Sequence, residues 1–331
     1  MSKTRNTDYL YVSAYIRAKE ASLLTAQRLG QMAEAASFDE AARILTECGY
    51  PELTGASDGD LEKAFAVRRS EVLADMEKLC PEKALAEAFR LRYDYHNAKV
   101  LVKSEGAGVP GGELLSGAGR VSPEKLQEAY EQEDWRSVPP RLAAAIREAK
   151  RTLSRTANPQ LADIGIDKAY FAELLALTET LSDGFYTGYV RLSIDVANLK
   201  SAVRCIRGGM DEGVLRAALI PGGNIPASRI GGRVYSEGVA AIFTDRALLD
   251  AAAQGQKAIE GGALSPFERQ CDNALTRYLS DGKYVPFGTA PVVAYLAALE
   301  GEIVAARMVL LGKRDGVSPE MLRERLRDSY V

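Results

Sequence analysis

The sequence offers few side chains suited to catalysis. His96 is its only histidine, so a Ser-His-Asp triad or a multi-histidine metal site would have one anchor and no second. Tyr284 and Arg314 follow the two Gly-Lys pairs, where a phosphate-binding loop needs Ser or Thr to reach magnesium. Acidic pairs such as Asp245 and Asp250 could carry acid–base chemistry, although charged residues mostly occupy solvated faces. We therefore predict no catalytic residue, no metal ligand and no cofactor.

The composition excludes several classes of partner and fold. A formal net charge of −3 lacks the basic excess of a nucleic-acid-binding protein. The longest apolar stretch, 291–311, is interrupted by charges at Glu300, Glu302 and Arg307, which argues against a membrane-spanning helix. Any contact with a membrane is therefore expected through a partner. The four cysteines lie far apart and form no Cys-x-x-Cys pair, so we expect buried thiols: Cys48, Cys80, Cys205 and Cys271.

Hydrophobic periodicity predicts an all-α fold. Apolar residues recur with helical spacing, in good helix-forming sequence, over eight windows: about 8–35, 61–79, 83–105, 140–153, 167–181, 189–207, 267–280 and 290–312. The nearest approach to strand-like alternation is 233–242, and Gly238 weakens it.

Three of these helices share one apolar pattern. Side chains recur at i, i+4, i+7 and i+11 from Leu91, Leu192 and Leu299, about a hundred residues apart. Each pattern predicts a single buried stripe, which we call the seam. The seams comprise Leu91, Tyr95, Ala98 and Val102; Leu192, Val196, Leu199 and Val203; and Leu299, Ile303, Ala306 and Leu310. This self-similarity predicts three helical repeats, at about 1–135, 136–235 and 236–331.

Polar residues recur in the same register as the seams. An acid, an asparagine and a base occupy equivalent positions, except that Ala305 replaces the third asparagine: Asp94, Asn97 and Lys99; Asp195, Asn198 and Lys200; Glu302 and Arg307. The acids border a partly apolar flank, so the favoured interpretation is that they hydrogen-bond neighbouring helices and fix their packing. Direct contact with a partner protein is the alternative.

Short amphipathic segments follow the three long helices. Helix-start signals at Ser122, Asp211 and Ser318 each precede a leucine, at Leu126, Leu215 and Leu322. Matching these segments makes the first repeat the longest. We therefore place an insertion in its glycine-rich loop, 106–119.

Several short strings, in a consistent order, resemble one known family. They are RYDYHNAK at 92–99, FE at 267–268 with CD at 271–272, PFG at 286–288 and PVVAY at 291–295. They are similar to motifs of the C subunit of bacterial and archaeal V/A-type ATPases, which is homologous to the d subunit of eukaryotic V-ATPases. The resemblance extends from about residue 9 to the last residue.

The resemblance implies a non-catalytic rotor subunit. Its family has an all-α funnel with three lobes about a pseudo-threefold axis. It lies peripherally, on the cytoplasmic face of the membrane proteolipid ring, and receives the central stalk in its cavity. Partners would thus be central-stalk subunits and the ring, serving proton or sodium transport. Tentative interface residues are polar groups at helix ends, namely Arg229, Arg233 and Lys283.

Two other functions stay open from the sequence. One is a stand-alone helical-repeat adaptor that binds a soluble protein. The other, less favoured, is a metal-dependent helical synthase, which would need an Asp-rich cluster on one helix face that the sequence lacks.

Overall fold

The computed structural model describes residues 5–181 and 183–331, and these form α-helices and short 3-10 turns without any β-strand. The predicted all-α class is confirmed. The helices are α1 Leu10–Glu20, α2 Ala26–Glu34, α3 Phe38–Thr46, α4 Asp58–Leu79, α5 Lys83–Ala107, α6 Pro123–Gln132, α7 Pro140–Thr156, α8 Pro159–Leu181, α9 Gly184–Arg207, α10 Glu212–Ala218, α11 Ala227–Ile230, α12 Arg233–Glu237, α13 Val239–Ile242, α14 Leu249–Ile259, α15 Leu264–Ser280, α16 Thr289–Arg314 and α17 Pro319–Arg325. The 3-10 turns are Asn6–Tyr9, Gly112–Leu114 and Asp281–Tyr284.

Local capping explains where many helices begin. The Ser122 hydroxyl accepts the Lys125 backbone N–H and precedes a proline in the first helical position of α6, a conformation that proline favours. Ser318 starts α17 in the same way. The window 233–242 contains two short helices rather than a strand, and Gly238 separates them with a left-handed φ of +83°.

The chain divides into two compact units. The first contains residues up to 82, 202–209 and 233–331, and the second contains 83–201 and 210–232. In the first unit, α16 packs against α1, α2, α3, α4 and α15. Its apolar residues surround the helix axis, which suits a helix with neighbours on several sides. In the second unit, α5, α7 and α8 pack together. The division into three repeats stays a prediction.

All twelve seam residues are buried, which confirms the predicted stripes. The flanking residues Leu101, Ala202 and Val309 are buried as well. The acids beside them thus lie within the core rather than on a solvated face. Within the described ranges, no helix has both the length and the apolar character needed to cross a membrane.

Candidate functional site

Asp94 on α5 holds the loop that leads into α6. Its Oδ1 atom accepts the backbone N–H groups of Arg120 at 2.8 Å and Val121 at 3.2 Å. Asn97, one turn further along α5, makes two bonds to a single residue. Its Oδ1 accepts the Ser116 N–H at 2.7 Å, and its Nδ2 donates to the Ser116 carbonyl at 2.9 Å. We call this set of bonds from an Asp and an Asn to a following loop the loop clamp.

The second copy repeats this geometry. The Asp195 carboxylate accepts the N–H groups of Asn224 at 3.0 Å and Ile225 at 3.1 Å. Asn198 pairs with both backbone groups of Ile220, each at 2.8 Å. Asp94, Asn97, Asp195 and Asn198 are all fully buried. Each side chain therefore replaces the water that loop amides would otherwise bind.

A glycine completes the loop clamp in both copies. An added Cβ at Gly119 would collide with the Asp94 carboxylate, and one at Gly223 would collide with that of Asp195. The loop backbone thus approaches each carboxylate more closely than any other residue type permits.

A buried ion network extends from Asp94. Arg120 Nε donates to Asp94 Oδ2 at 2.6 Å, and Arg120 Nη1 donates to Glu173 Oε1 on α8 at 2.9 Å. The Tyr95 hydroxyl donates to Glu173 Oε2 at 2.7 Å. Burial raises the pKa of Asp94, while Arg120 and the two loop N–H groups oppose that shift. Arg120 and Glu173 had no motif or spacing that could identify them in the sequence.

The third copy uses its acid differently. Glu302 Oε2 accepts the backbone N–H of Leu24 at 2.5 Å, and its Oε1 accepts the Tyr50 hydroxyl at 2.7 Å. Its partners therefore lie near the start of the chain, whereas those of Asp94 and Asp195 lie downstream. Burial raises the pKa of Glu302 above its ordinary value, and the bonds from Leu24 and Tyr50 oppose the shift.

A different helix supplies the asparagine that is absent at Ala305. Asn273 on α15 is buried, and its Oδ1 accepts the backbone N–H of Asp328 at 2.9 Å. Nearby, the Ser329 hydroxyl donates to the Leu24 carbonyl at 2.9 Å. The segment after α17 is thus held by side chains, as in the other copies, but from a neighbouring helix.

The loop clamps correct the predicted register of the segments that follow the long helices. Asn97 and Asn198 bind equivalent loop residues, Ser116 and Ile220. When these two residues are matched, the 3-10 turn Gly112–Leu114 takes the position of α10, and α6 takes the position of α11. The expected match between Ser122 and Asp211 was therefore wrong. The predicted insertion at 106–119 was wrong too, because Asn97 reaches its partner after 19 residues and Asn198 after 22. The starts of α6 and α10 carry similar capping residues, so the sequence pattern matched the wrong pair of helices.

The repeated bases lie on the opposite flank from the acids. Lys99 Nζ lies 2.5 Å from Asp167 Oδ1, and Arg307 makes two bonds to the Glu62 carboxylate, at 2.6 and 2.5 Å. Lys200 is partly buried. The ion pairs of Lys99 and Arg307 are thus separate from the bonds that hold the loops.

The three tentative interface residues are exposed. Arg229 lies on α11, and Arg233 pairs with Glu237 at 2.8 Å within α12. The Lys283 ammonium lies 4.6 Å from the centre of the Tyr330 ring, in a cation–π arrangement. Their role in an interface stays a prediction.

The residues considered for catalysis contact other groups of the same chain. A His96 ring nitrogen lies 3.2 Å from the Leu114 carbonyl oxygen. Asp245 accepts the Ala247 N–H, and Asp250 pairs with Arg277. In the part of the chain that the structure describes, no group of three or more His, Cys, Asp or Glu side chains is placed to hold a metal ion. All four cysteines are buried, as predicted, and none of them is in a disulfide.

A family model described as the ATP synthase (C/AC39) subunit matches residues 12–325. The chain belongs to this family. Named relatives match most of this chain at modest identity. The C subunit of the V-type sodium ATPase of Enterococcus hirae is 27% identical over 98% of this chain and 99% of its own length. The C subunit of the A-type ATP synthase of Pyrococcus abyssi is 25% identical over 96% and 90%. The C subunit of the V-type ATP synthase of Thermus thermophilus is 26% identical over 93% and 94%.

These comparisons identify the chain as a subunit of a V/A-type ATPase complex. The names of the relatives designate the C subunit, which is a structural subunit rather than the catalytic one. They confirm both the family resemblance and the prediction of a non-catalytic subunit.

Proposed function

We propose that this C subunit is the rotor element that joins the central stalk of its ATPase to the membrane proteolipid ring. The observation that carries the proposal is the end-to-end match to the family of C subunits, over residues 12–325. In this role the chain turns with the ring and transmits torque without chemistry of its own. We also propose the arrangement of its three repeats, about 1–135, 136–235 and 236–331, around a pseudo-threefold axis.

The loop clamps suit a torque-transmitting role. A coupling subunit must keep its loops in fixed positions while force passes through it. Loops bound only by water deform readily, whereas the loops after α5 and α9 are held by buried carboxylates and amides. Several buried bonds to one loop restrict its movement more than a single bond would.

Reversible crosslinks in the holoenzyme test the proposal. After replacement of the four native cysteines, one engineered disulfide joins the subunit to the ring and another joins it to a stationary peripheral stalk. We expect the first to leave ATP-driven ion pumping nearly unchanged, because the joined parts already move together. The second should stop turnover until reductant is added.

Deletion of the subunit gives an independent readout. The catalytic head should still hydrolyse ATP, while ion pumping is lost. Full coupled pumping with the stator crosslink demonstrably formed would overturn the rotor role and favour an adaptor that binds a soluble protein.

A further inference from the structure

The outer face of α7 carries a strip of arginines. Arg141, Arg147, Arg151 and Arg155 are exposed. At about 100° per residue they fall within roughly a third of the helix circumference, along about 21 Å of its axis. Glu148 is the one acid among them. The whole chain has a formal net charge of −3, whereas this strip is positively charged.

Internal pairing leaves most of this charge available. Arg151 pairs with Glu148 at 2.8 Å, and Arg147 donates to the Ala143 carbonyl of its own helix at 3.3 Å. Arg141 and Arg155 form no hydrogen bond or ion pair with any described residue. Surface pairs such as Arg151–Glu148 are weak, so the strip keeps its capacity to bind carboxylates.

Helix stability does not explain the strip. Cations near the C-terminus of a helix stabilise it, which accounts for Arg155. Arg141, however, lies in the first turn, directly after Pro140, where the helix dipole disfavours a positive charge. The first turn of α7 also lacks an acid. Arg141 interacts electrostatically with the Tyr95 hydroxyl but forms no ion pair within the described chain, so an external acidic partner would compensate its charge.

The surroundings of the strip favour a protein partner over a lipid surface. The apolar face of α7, with Leu142, Ile146 and Ala149, is already buried. No large apolar side chain of α7 is exposed, whereas helices that lie on membranes insert a free apolar face. Arginine also binds carboxylates through two parallel bonds, which gives defined geometry.

We propose that the arginine strip of α7 binds an acidic segment of another subunit, one that presents a row of Asp or Glu carboxylates. The inference rests on the proposed function for the existence of protein partners. It adds the binding surface and the chemistry that the surface recognises.

The test reverses the strip in the full chain, with Arg141, Arg147, Arg151 and Arg155 each changed to Glu. A control carries the same charge change at scattered exposed positions: Lys63→Glu, Lys78→Glu, Arg246→Glu and Lys257→Glu. Thermal melting verifies that both fold, and a fourfold Arg→Gln variant replaces the first if it does not. Binding is measured to detergent-solubilised ATPase prepared without this subunit, at low and moderate salt.

We expect strip reversal to weaken binding by about 100-fold or more at low salt, and the control by about threefold or less, because charge complementarity acts at close contact. The wild type should also lose affinity as salt rises, and the strip variant much less so. Equal affinities of the strip variant and the control would overturn the inference while leaving the rotor proposal intact.

Two probes separate the possible sources of negative charge. A synthetic Glu-rich helical peptide should bind the wild type and not the strip variant. Vesicles containing phosphatidylglycerol should bind neither of these two proteins. Strip-dependent binding to vesicles but not to the peptide would overturn the inference in favour of lipid. Strip-dependent peptide binding, with no binding to the ATPase, would retain the acidic-segment inference and reject the proposed function. A wild type that binds neither the peptide nor the ATPase would refute both.

Discussion

The Glu302 carboxylate accepts the backbone N–H of Leu24 across 278 residues of chain, at 2.5 Å. The same carboxylate accepts the Tyr50 hydroxyl. Two early segments of the chain are thus fixed by one late side chain in the core of the first unit. Asp94 and Asp195 hold loops that follow them closely, so the third acid keeps its position in the repeat while its partners change.

Replacement of Glu302 by Ala should destabilise the protein by about 2–4 kcal/mol. The change leaves the Leu24 N–H and the Tyr50 hydroxyl buried without acceptors, and each unpaired group costs about 1–3 kcal/mol. Urea unfolding measures the loss. The exposed Glu62→Ala, which removes only the partner of Arg307, should cost less than about 1 kcal/mol. Equal losses in the two variants would contradict the structural role of Glu302.

The contribution of Glu302 should depend on pH. Its pKa is raised by burial, so the folded protein binds this proton more tightly than the unfolded chain does. Stability from this group is therefore greatest at low pH and falls as pH rises through the folded-state pKa. Glu302→Gln does not titrate, so the wild type should gain stability relative to it as pH falls from neutrality toward the ordinary glutamate pKa of 4.5. A constant difference over that range would contradict the raised pKa.

Glycine-to-alanine changes should have opposite effects at different sites. Gly119→Ala and Gly223→Ala place a Cβ against a carboxylate that the loop holds in place, and each should cost about 1–3 kcal/mol. Gly165 and Gly301 lie within α8 and α16 with no heavy atom near the added Cβ. Alanine there should stabilise by about 0.5–1 kcal/mol. Thermal melting of the four variants gives the comparison, and four losses of equal size would refute the close approach at the loop clamps.

Leu199→Ala should cost about 2–5 kcal/mol, because it removes a fully buried seam side chain and leaves a cavity. Leu199→Asp should be more damaging, since it buries an unpaired charge. Leu249→Ala, at an exposed leucine of α14, is the matched control and should change the free energy of unfolding little. A Leu199→Ala variant that melts with the wild type would show that the seam is misassigned.

The native protein should resist thiol labelling. Burial raises the pKa of Cys80 to about 12, so only about one thiol in ten thousand is ionised at pH 8, and the thiolate is the nucleophile. Iodoacetamide followed by intact-mass analysis should show slow labelling of the native protein and four rapid additions in urea. Rapid labelling of Cys80 in the native protein would contradict its burial.

Local patterns predicted the seams, whereas long-range partners had no local signal. The period of Leu91, Tyr95 and their copies is visible because packing repeats every turn. The partners of Asp94 and Asn97 are loop amides, which every residue except proline carries, so side-chain types could not identify them. The pairing of Glu302 with Leu24 depends on the tertiary fold alone. Similar capping signals at α6 and α10 produced the one error of register.

The distance between Leu24 and Glu302 along the chain also sets an order of events during synthesis. Asp94 meets the Arg120 amide after 26 residues and Asp195 meets the Asn224 amide after 29, so both loops can close soon after they leave the ribosome. The Leu24 N–H, in contrast, has no Glu302 acceptor until that residue has been synthesised. At about 5–20 residues per second that interval is roughly 15 to 55 seconds. The segment that contains Leu24 and Tyr50 therefore carries an exposed, unfinished core throughout that interval, when a chaperone would protect it.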